Sequence, residues 1–170
     1  MRAINTVVER DIQEIISDSQ IFDAFRGKLI LVTGATGLIG SMVARSLIAA
    51  NDAYHLSLRV ICHVRNIEKA HYMFSDIVDS DILTFVDTPL ESLDIACDYI
   101  MHGAGPTKSK YFVEHPVDTI RTSIHGTERM LELGKEQKIK GMVYLSSMEQ
   151  YGVPYESGQV MTEDRIGYLD

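Results

Sequence analysis

Three glycines, Gly34, Gly37 and Gly40, are spaced G-x-x-G-x-x-G in the stretch LVTGATGLIG. The first glycine permits a tight turn; the later two let backbone approach a ligand and let a helix pack on a strand. A helix that opens directly behind such a turn presents unpaired N–H groups and a partial positive charge, which suits a phosphate. A second stretch, VYLSSMEQYG from Val143 to Gly152, runs β-formers into two hydroxyls, a carboxylate and a phenol: Ser146, Ser147, Glu149 and Tyr151. Such groups move protons at reacting carbon–oxygen centres. The two stretches are far apart in the chain, so only a fold that sets both at one edge can combine them.

The intervening pattern predicts such a fold. FRGKLILVTG gives a short apolar strand over residues 28–33, and LIGSMVARSLIAAN a helix. LSLRVICHV is a second strand, NIEKAHYMFSDI a helix or turn, and DILTFVD a third strand. CDYIMHGAG is a fourth strand ending in small residues. VDTIRTSIHGTERMLELGKEQK is a long helix with Val117, Ile120, Ile124 and Leu131 on one face, and KGMVYLSS a fifth strand. Short strands apolar on both faces, alternating with helices, specify an α/β fold with a doubly wound parallel sheet, and right-handed crossovers give the strand order 3-2-1-4-5. Ahead of it, Val8, Ile12, Ile15 and Ile16 form the apolar stripe of an amphipathic helix over residues 5–18, with Thr6 and Glu9 spaced as a capping box. The expected organisation is an N-terminal helical extension, residues 1–27, and a Rossmann-type nucleotide-binding domain, residues 28–170.

The totals exclude several classes. The chain has 170 residues, 45% of them apolar and 24% charged, enough for one core. A net charge of −8 argues against nucleic acid as a partner. No segment reaches the ~20 apolar residues of a membrane span, and MRAINTVVERDIQEII is too acidic for a targeting peptide, so a cytoplasmic location is expected. Cys62 and Cys97 lie in apolar stretches as buried free thiols, and the six histidines show no zinc-type grouping, so no metal site is expected.

TGATGLIGS, DYIMHGAG, SIHGTERMLELGKEQKIKGMVYLSS and the YG that follows resemble, in this order, the extended short-chain dehydrogenase/reductase family: nucleotide-sugar epimerases and dehydratases. The segment HGAGPTKSKYFVEHPVDTI is similar to UDP-glucuronate decarboxylases and their dehydratase relatives. The resemblance implies NAD as cofactor, a UDP- or dTDP-linked sugar as substrate, and a transient 4-keto sugar. It also implies pairing of helix 117–136 across a homodimer axis.

The cofactor-binding set is then Gly34, Thr36, Gly37, Leu38, Ile39 and Gly40 in the loop, Arg65 and Asn66 after strand two, Asp87 and Thr88 after strand three, and Gly103, Ala104 and Gly105 after strand four. An acidic residue that would bind the ribose hydroxyls is replaced by Val64. Arg65 beside it could take a 2′-phosphate, favouring NADP, or stack on adenine in an NAD enzyme. Asp87 resembles the family's aspartate at the adenine amino group. PTKSK offers Lys108 or Lys110 to a phosphate, although a solvated loop lysine is the plainer expectation.

On the reacting side, Ser147 matches the family's hydroxyl four before the YG tyrosine, which assists hydride transfer at a sugar carbon. Ser146 should point the other way, as a core hydroxyl bonded to backbone. Glu149 stands where dehydratases and UDP-glucuronate decarboxylases carry a glutamate. Met148 replaces the dehydratases' aspartate, which argues against 4,6-dehydration and for decarboxylation or other 4-keto chemistry. Ser123 replaces the family's structural asparagine. His102 is expected only to pack at the end of strand four. The family's base, a tyrosine in Tyr-x-x-x-Lys, has no match in the 170 residues, and EDRIGYLD is expected to be a loop with no closing element. The chain therefore reads as the cofactor half of an enzyme, inactive alone. A non-catalytic NAD(P)-binding sensor or scaffold is the alternative.

Overall fold

The computed structural model describes residues 5–77, 81–107, 109–155, 158 and 160–168. Five parallel strands form one sheet in the order β3-β2-β1-β4-β5. They are β1 (Leu29–Thr33), β2 (Arg59–His63), β3 (Leu83–Val86), β4 (Tyr99–His102) and β5 (Gly141–Tyr144). The expected order follows because each right-handed crossover moves one strand outward, and the chain returns to β1's other side at β4. Strands β1 and β2 are buried on both faces because helices cover both.

One face packs under α1 (Thr6–Ile15), α2 (Leu38–Tyr54) and α3 (Ile67–Met73). Its core holds Ile30, Val32, Val60, Cys62, Val64 and Phe74. The other face sets Leu31, Ile61 and Ile100 against Leu90, Leu93, Met130 and Leu133. Met130 and Leu133 come from α5 (Pro116–Gln137), which starts on a proline, the residue that has no N–H to leave unpaired there. The stripe Val117, Ile120, Ile124 and Leu131 is on the opposite, exposed side of α5, each residue at least 57% exposed. The inward stripe is instead Gly126, Met130 and Leu133, and small Gly126 with flexible Met130 gave it little apolar signal.

Several local expectations change. The cap of α1 is Asn5, whose side chain accepts the Val7 N–H at 2.9 Å, so Thr6 is already inside the helix and the Thr6–Glu9 box does not form. The helix stops at Ile15; Asp18 then caps a 3-10 segment, Ser19–Phe25. This extension shares the sheet's core through Ile12, Ile16 and Phe22, and Phe25 meets Tyr99 edge-on at 5.0 Å. Strand β2 begins at Arg59, because His55 and Ser57 take positive φ and break the extended run. The PTKSKYFVEHP segment contains a short helix, α4 (Ser109–Glu114). The last segment is closed: Val153 and Tyr168 exchange both backbone hydrogen bonds at 2.8 Å, an antiparallel bridge within EDRIGYLD's reach that alternation alone does not reveal.

Candidate active site

Pairing register levels the carboxyl ends of all five strands. Val86 pairs with His63, His63 with Thr33, Thr33 with His102, and His102 with Tyr144. The segments that leave these residues therefore share one edge, running from Asp87–Thr88 through Arg65–Asn66, the glycine loop and Gly103–Gly105 to Ser147–Glu149. Four strand spacings of about 4.8 Å make this row roughly 19 Å long.

The loop has the geometry of a phosphate cradle. Gly34 has φ +70°, and a Cβ there would lie 2.5 Å from the Gly103 carbonyl oxygen, so the β1 and β4 loops touch only because this residue is glycine. A Cβ on Gly40 would lie 2.4 Å from the Gly34 carbonyl oxygen, so the third glycine lets α2 sit directly on the turn. The N-cap of α2 is Gly37, which supplies no side-chain acceptor, and Leu38 and Ile39 in the first turn are exposed. These uncapped N–H groups and the space cleared by the glycines fit a dinucleotide's pyrophosphate. Thr36 is half-buried beside them.

At the β2 end of the row, Val64 is 2% exposed and belongs to the core, so the position expected to be acidic is used for packing. Arg65 is exposed, and among the described residues it is neither hydrogen-bonded nor ion-paired. Asn66 has a structural duty, its Oδ1 accepting the Lys69 N–H at 2.6 Å to cap α3. Asp87 and Thr88 are exposed; the Thr88 carbonyl accepts a hydrogen bond from His63 Nε2 at 2.8 Å. Lys108 lies outside the described residues, and Lys110 pairs with Glu114 at 3.6 Å. Among the described residues no group of three His, Cys, Asp or Glu could hold a metal ion.

Below Gly103–Gly105 the structure holds a polar system for which the sequence prepared only a packed histidine. Thr33 and His102 are 0% and 1% exposed, and Thr33 Oγ1 lies 2.7 Å from His102 Nδ1. The Gly103 and Ala104 N–H groups donate to Thr33 Oγ1 at 3.2 and 3.1 Å. His102 Nε2 lies 3.3 Å from Thr127 Oγ1 on α5, and the Thr127 hydroxyl donates to the Ser123 carbonyl at 2.7 Å. Burial, and secondarily the nearby His63, push the His102 pKa down to about 4. Burial also lowers that of His63, against the Thr88 carbonyl, Glu91 and Asp87, which favour its charged form. The signal available was the threonine in LILVTG: a hydroxyl closing an otherwise apolar buried strand needs a partner.

At the β5 end of the row, Ser147 and Glu149 are exposed and in contact with each other. Ser147 Oγ donates to Glu149 Oε2 at 3.3 Å and accepts the Glu149 N–H, capping the 3-10 turn Met148–Tyr151. Ser146 is not a core hydroxyl: it is exposed and donates to the Gln150 side chain at 3.0 Å, because β5 has ended at Tyr144 and strand alternation no longer applies. Met148 is 84% exposed. Leu145 N–H donates to the His102 carbonyl at 2.9 Å, which ties this segment to the end of β4.

The chain is 30% identical over 129 residues to the dTDP-glucose 4,6-dehydratase of Streptomyces antibioticus, covering 72% of this chain and 38% of that protein. It is 29% identical over 143 residues to UDP-glucuronic acid decarboxylase 2 of Arabidopsis thaliana, covering 81% and 29%. The chain thus spans less than half the length of the curated relatives it matches. The crystal structure of UDP-glucuronic acid 4-epimerase from Bacillus cereus, in complex with UDP-glucuronic acid and NAD, superposes with a TM-score of 0.67 over 82% of this chain and 46% of that one; at 22% identity the likeness is one of fold. The profile of the NAD dependent epimerase/dehydratase family matches residues 30–167, from the first strand through the turn that carries Ser147 and Glu149 to the closing bridge, and the chain belongs to that family, with NAD as its cofactor.

Proposed function

We propose that the chain forms the NAD-binding half of a nucleotide-sugar-modifying enzyme working through a transient 4-keto sugar. The observation that carries this reading is the level row of strand ends, which aligns the glycine loop, Arg65, Asp87, Gly103–Gly105 and the Ser147–Glu149 pair along one edge. Bound NAD would supply the acceptor for hydride from the sugar's C4 and its later return. The chain's own groups divide the remaining work. The α2 N-terminus holds the pyrophosphate, and Asp87 accepts the adenine amino hydrogen. Ser147 holds the sugar hydroxyl that loses its proton, and Glu149 moves a proton beside the ketone or assists loss of CO₂. Met148, with no ionisable group where dehydratases carry aspartate, favours decarboxylation over 4,6-dehydration.

The sequence holds no Tyr-x-x-x-Lys, and we assign no group to the main base. The 170 residues alone should bind NAD without turning over sugar. A second reading is a non-catalytic NAD-binding sensor or scaffold that uses the same glycine loop. Titration calorimetry with NAD and NADP, with turnover assays on UDP-glucuronate and other UDP- and dTDP-sugars, tests both. Failure to bind either cofactor removes both readings. Turnover by the 170-residue chain overturns its inactivity. A full gene product that contains Tyr-x-x-x-Lys, binds NAD and transforms no sugar supports the second reading.

The exposed stripe Val117, Ile120, Ile124 and Leu131 supports pairing of α5 with its copy in a homodimer. Sedimentation of Ile124→Glu against the wild type checks it: a dimer that becomes a monomer is expected, and a wild-type monomer at high concentration rejects it.

A further inference from the structure

We propose that His102 is a positioning residue for the cofactor site, acting through Thr33 as the neutral imidazole with its proton on Nε2. The inference deepens the NAD-binding reading and rests on it for its functional consequence. Its chemistry follows from counting hydrogens along one buried line. The Thr127 hydroxyl has one hydrogen, and the Ser123 carbonyl at 2.7 Å is a much nearer acceptor for it than His102 Nε2 at 3.3 Å. Thr127 Oγ1 can then only accept from His102 Nε2, so Nε2 carries hydrogen. A neutral ring protonated there leaves a lone pair on Nδ1, which accepts the Thr33 hydroxyl hydrogen at 2.7 Å. With that hydrogen placed, both Thr33 lone pairs are free for the Gly103 and Ala104 N–H groups, at 3.2 and 3.1 Å. Every hydrogen on the line then has an acceptor, the Gly103 N–H being shared between Thr33 Oγ1 and the Thr33 carbonyl, each at 3.2 Å.

The other protonation states break it. The Nδ1–H tautomer would turn a donor onto Thr33, which already receives two, and leave the Thr33 hydrogen without an acceptor. It would also set the Nε2 lone pair against a Thr127 oxygen whose hydrogen is spent. The imidazolium shares the first fault. At 1% exposure His102 has no water to repair either.

The consequence lies at the ligand edge. Thr33 immediately precedes Gly34, and Gly103 is the residue against which a Gly34 Cβ would collide. The line therefore fixes the separation of the two loops that flank the cofactor, and it commits the Gly103 and Ala104 N–H groups inward, to Thr33. His102 acts without touching the ligand, by making Thr33 an acceptor of fixed polarity.

The test separates polarity from packing. Asparagine places Oδ1 where Nδ1 sits and keeps the acceptor for Thr33. Glutamine places its amide near Nε2 and keeps the Thr127 arm, while leucine keeps volume only. We expect His102→Asn to bind NAD within about threefold of wild type, and His102→Gln, His102→Leu and Thr33→Val to bind about tenfold more weakly. Packing alone predicts the opposite order, with the smaller asparagine worst, and finding that order overturns the proposal. Long-range ¹H–¹⁵N spectra of the wild-type chain at pH 7 should show Nε2 protonated and Nδ1 bare; an Nδ1–H tautomer or an imidazolium overturns it without reference to any ligand. The Ala104 amide resonance, bonded to Thr33 Oγ1, should move further in Thr33→Val than in His102→Asn. Should wild type bind no NAD, the cofactor reading fails, and these spectra still decide the line.

Discussion

Ser147 and Glu149 are bonded to each other: the serine hydroxyl donates to the carboxylate at 3.3 Å while accepting the glutamate's own N–H. The pair proposed to act on the substrate is thus also the cap of the turn Met148–Tyr151. Replacing Ser147 by alanine should cost about 1 kcal/mol and speed amide exchange at Gln150 and Gly152, whose N–H groups close that turn. Where sugar turnover can be measured, the same change should lower kcat about 100-fold. Unchanged exchange rates would show that the cap is not formed in solution.

Gly34 and Gly105 should respond oppositely to alanine. At Gly34 the new Cβ meets backbone at 2.5 Å and φ is +70°, so Gly34→Ala should lose about 3 kcal/mol in urea unfolding. At Gly105 the added Cβ meets nothing within 4 Å among the described residues, and stability should stay within about 0.5 kcal/mol. Weaker NAD binding by Gly105→Ala at unchanged stability would mark the ligand's approach there; unchanged affinity would remove Gly105 from the cofactor set.

Arg65 tests how the adenosine part of the cofactor is held. Its guanidinium is exposed and unpaired among the described residues. If it stacks on adenine, Arg65→Ala should weaken NAD by about 0.5–1 kcal/mol, severalfold. If it meets a 2′-phosphate, wild type should prefer NADP and the variant should lose that preference. Calorimetry with both cofactors on both proteins reads the difference.

Acid should weaken the fold through the two buried histidines. The folded-state pKa of His102 is pushed down to about 4, against about 6.5 in an unfolded chain. Between these values the unfolded state binds the proton and the folded state does not, so stability is full above about pH 6.5 and falls toward pH 4. The loss for His102 is on the order of 3 kcal/mol. The groups around this ring are Thr33, Thr127, Tyr144 and His63, and His63 titrates in the same direction. Chemical denaturation at pH 7 and pH 5 should show the drop, and His102→Asn should retain only the part due to His63. An equal drop in that variant would assign the slope elsewhere.

The glycine spacing, the alternation of apolar strands with helices and the strand order were legible in the sequence because each follows from local backbone demands or from the handedness of crossovers. Cap positions and strand ends were less so. Asn5 took the cap from Thr6 because both are competent acceptors, and only the chain's entry angle chooses between them. The stripe Val117, Ile120, Ile124 and Leu131 is legible on one face of α5, but which face packs inward is not, since these residues are more apolar than the Gly126, Met130 and Leu133 that do.

Sequence by itself therefore determined the sheet, the glycine loop and which segments share the edge beyond the strand ends. Tertiary structure decided how that edge is held. Thr33, His102 and Thr127 come from two strands and a helix, and no spacing rule connects them. Their link exists because parallel register sets Thr33 beside His102 and α5 packs on β4, which brings Thr127 within 3.3 Å of the buried ring.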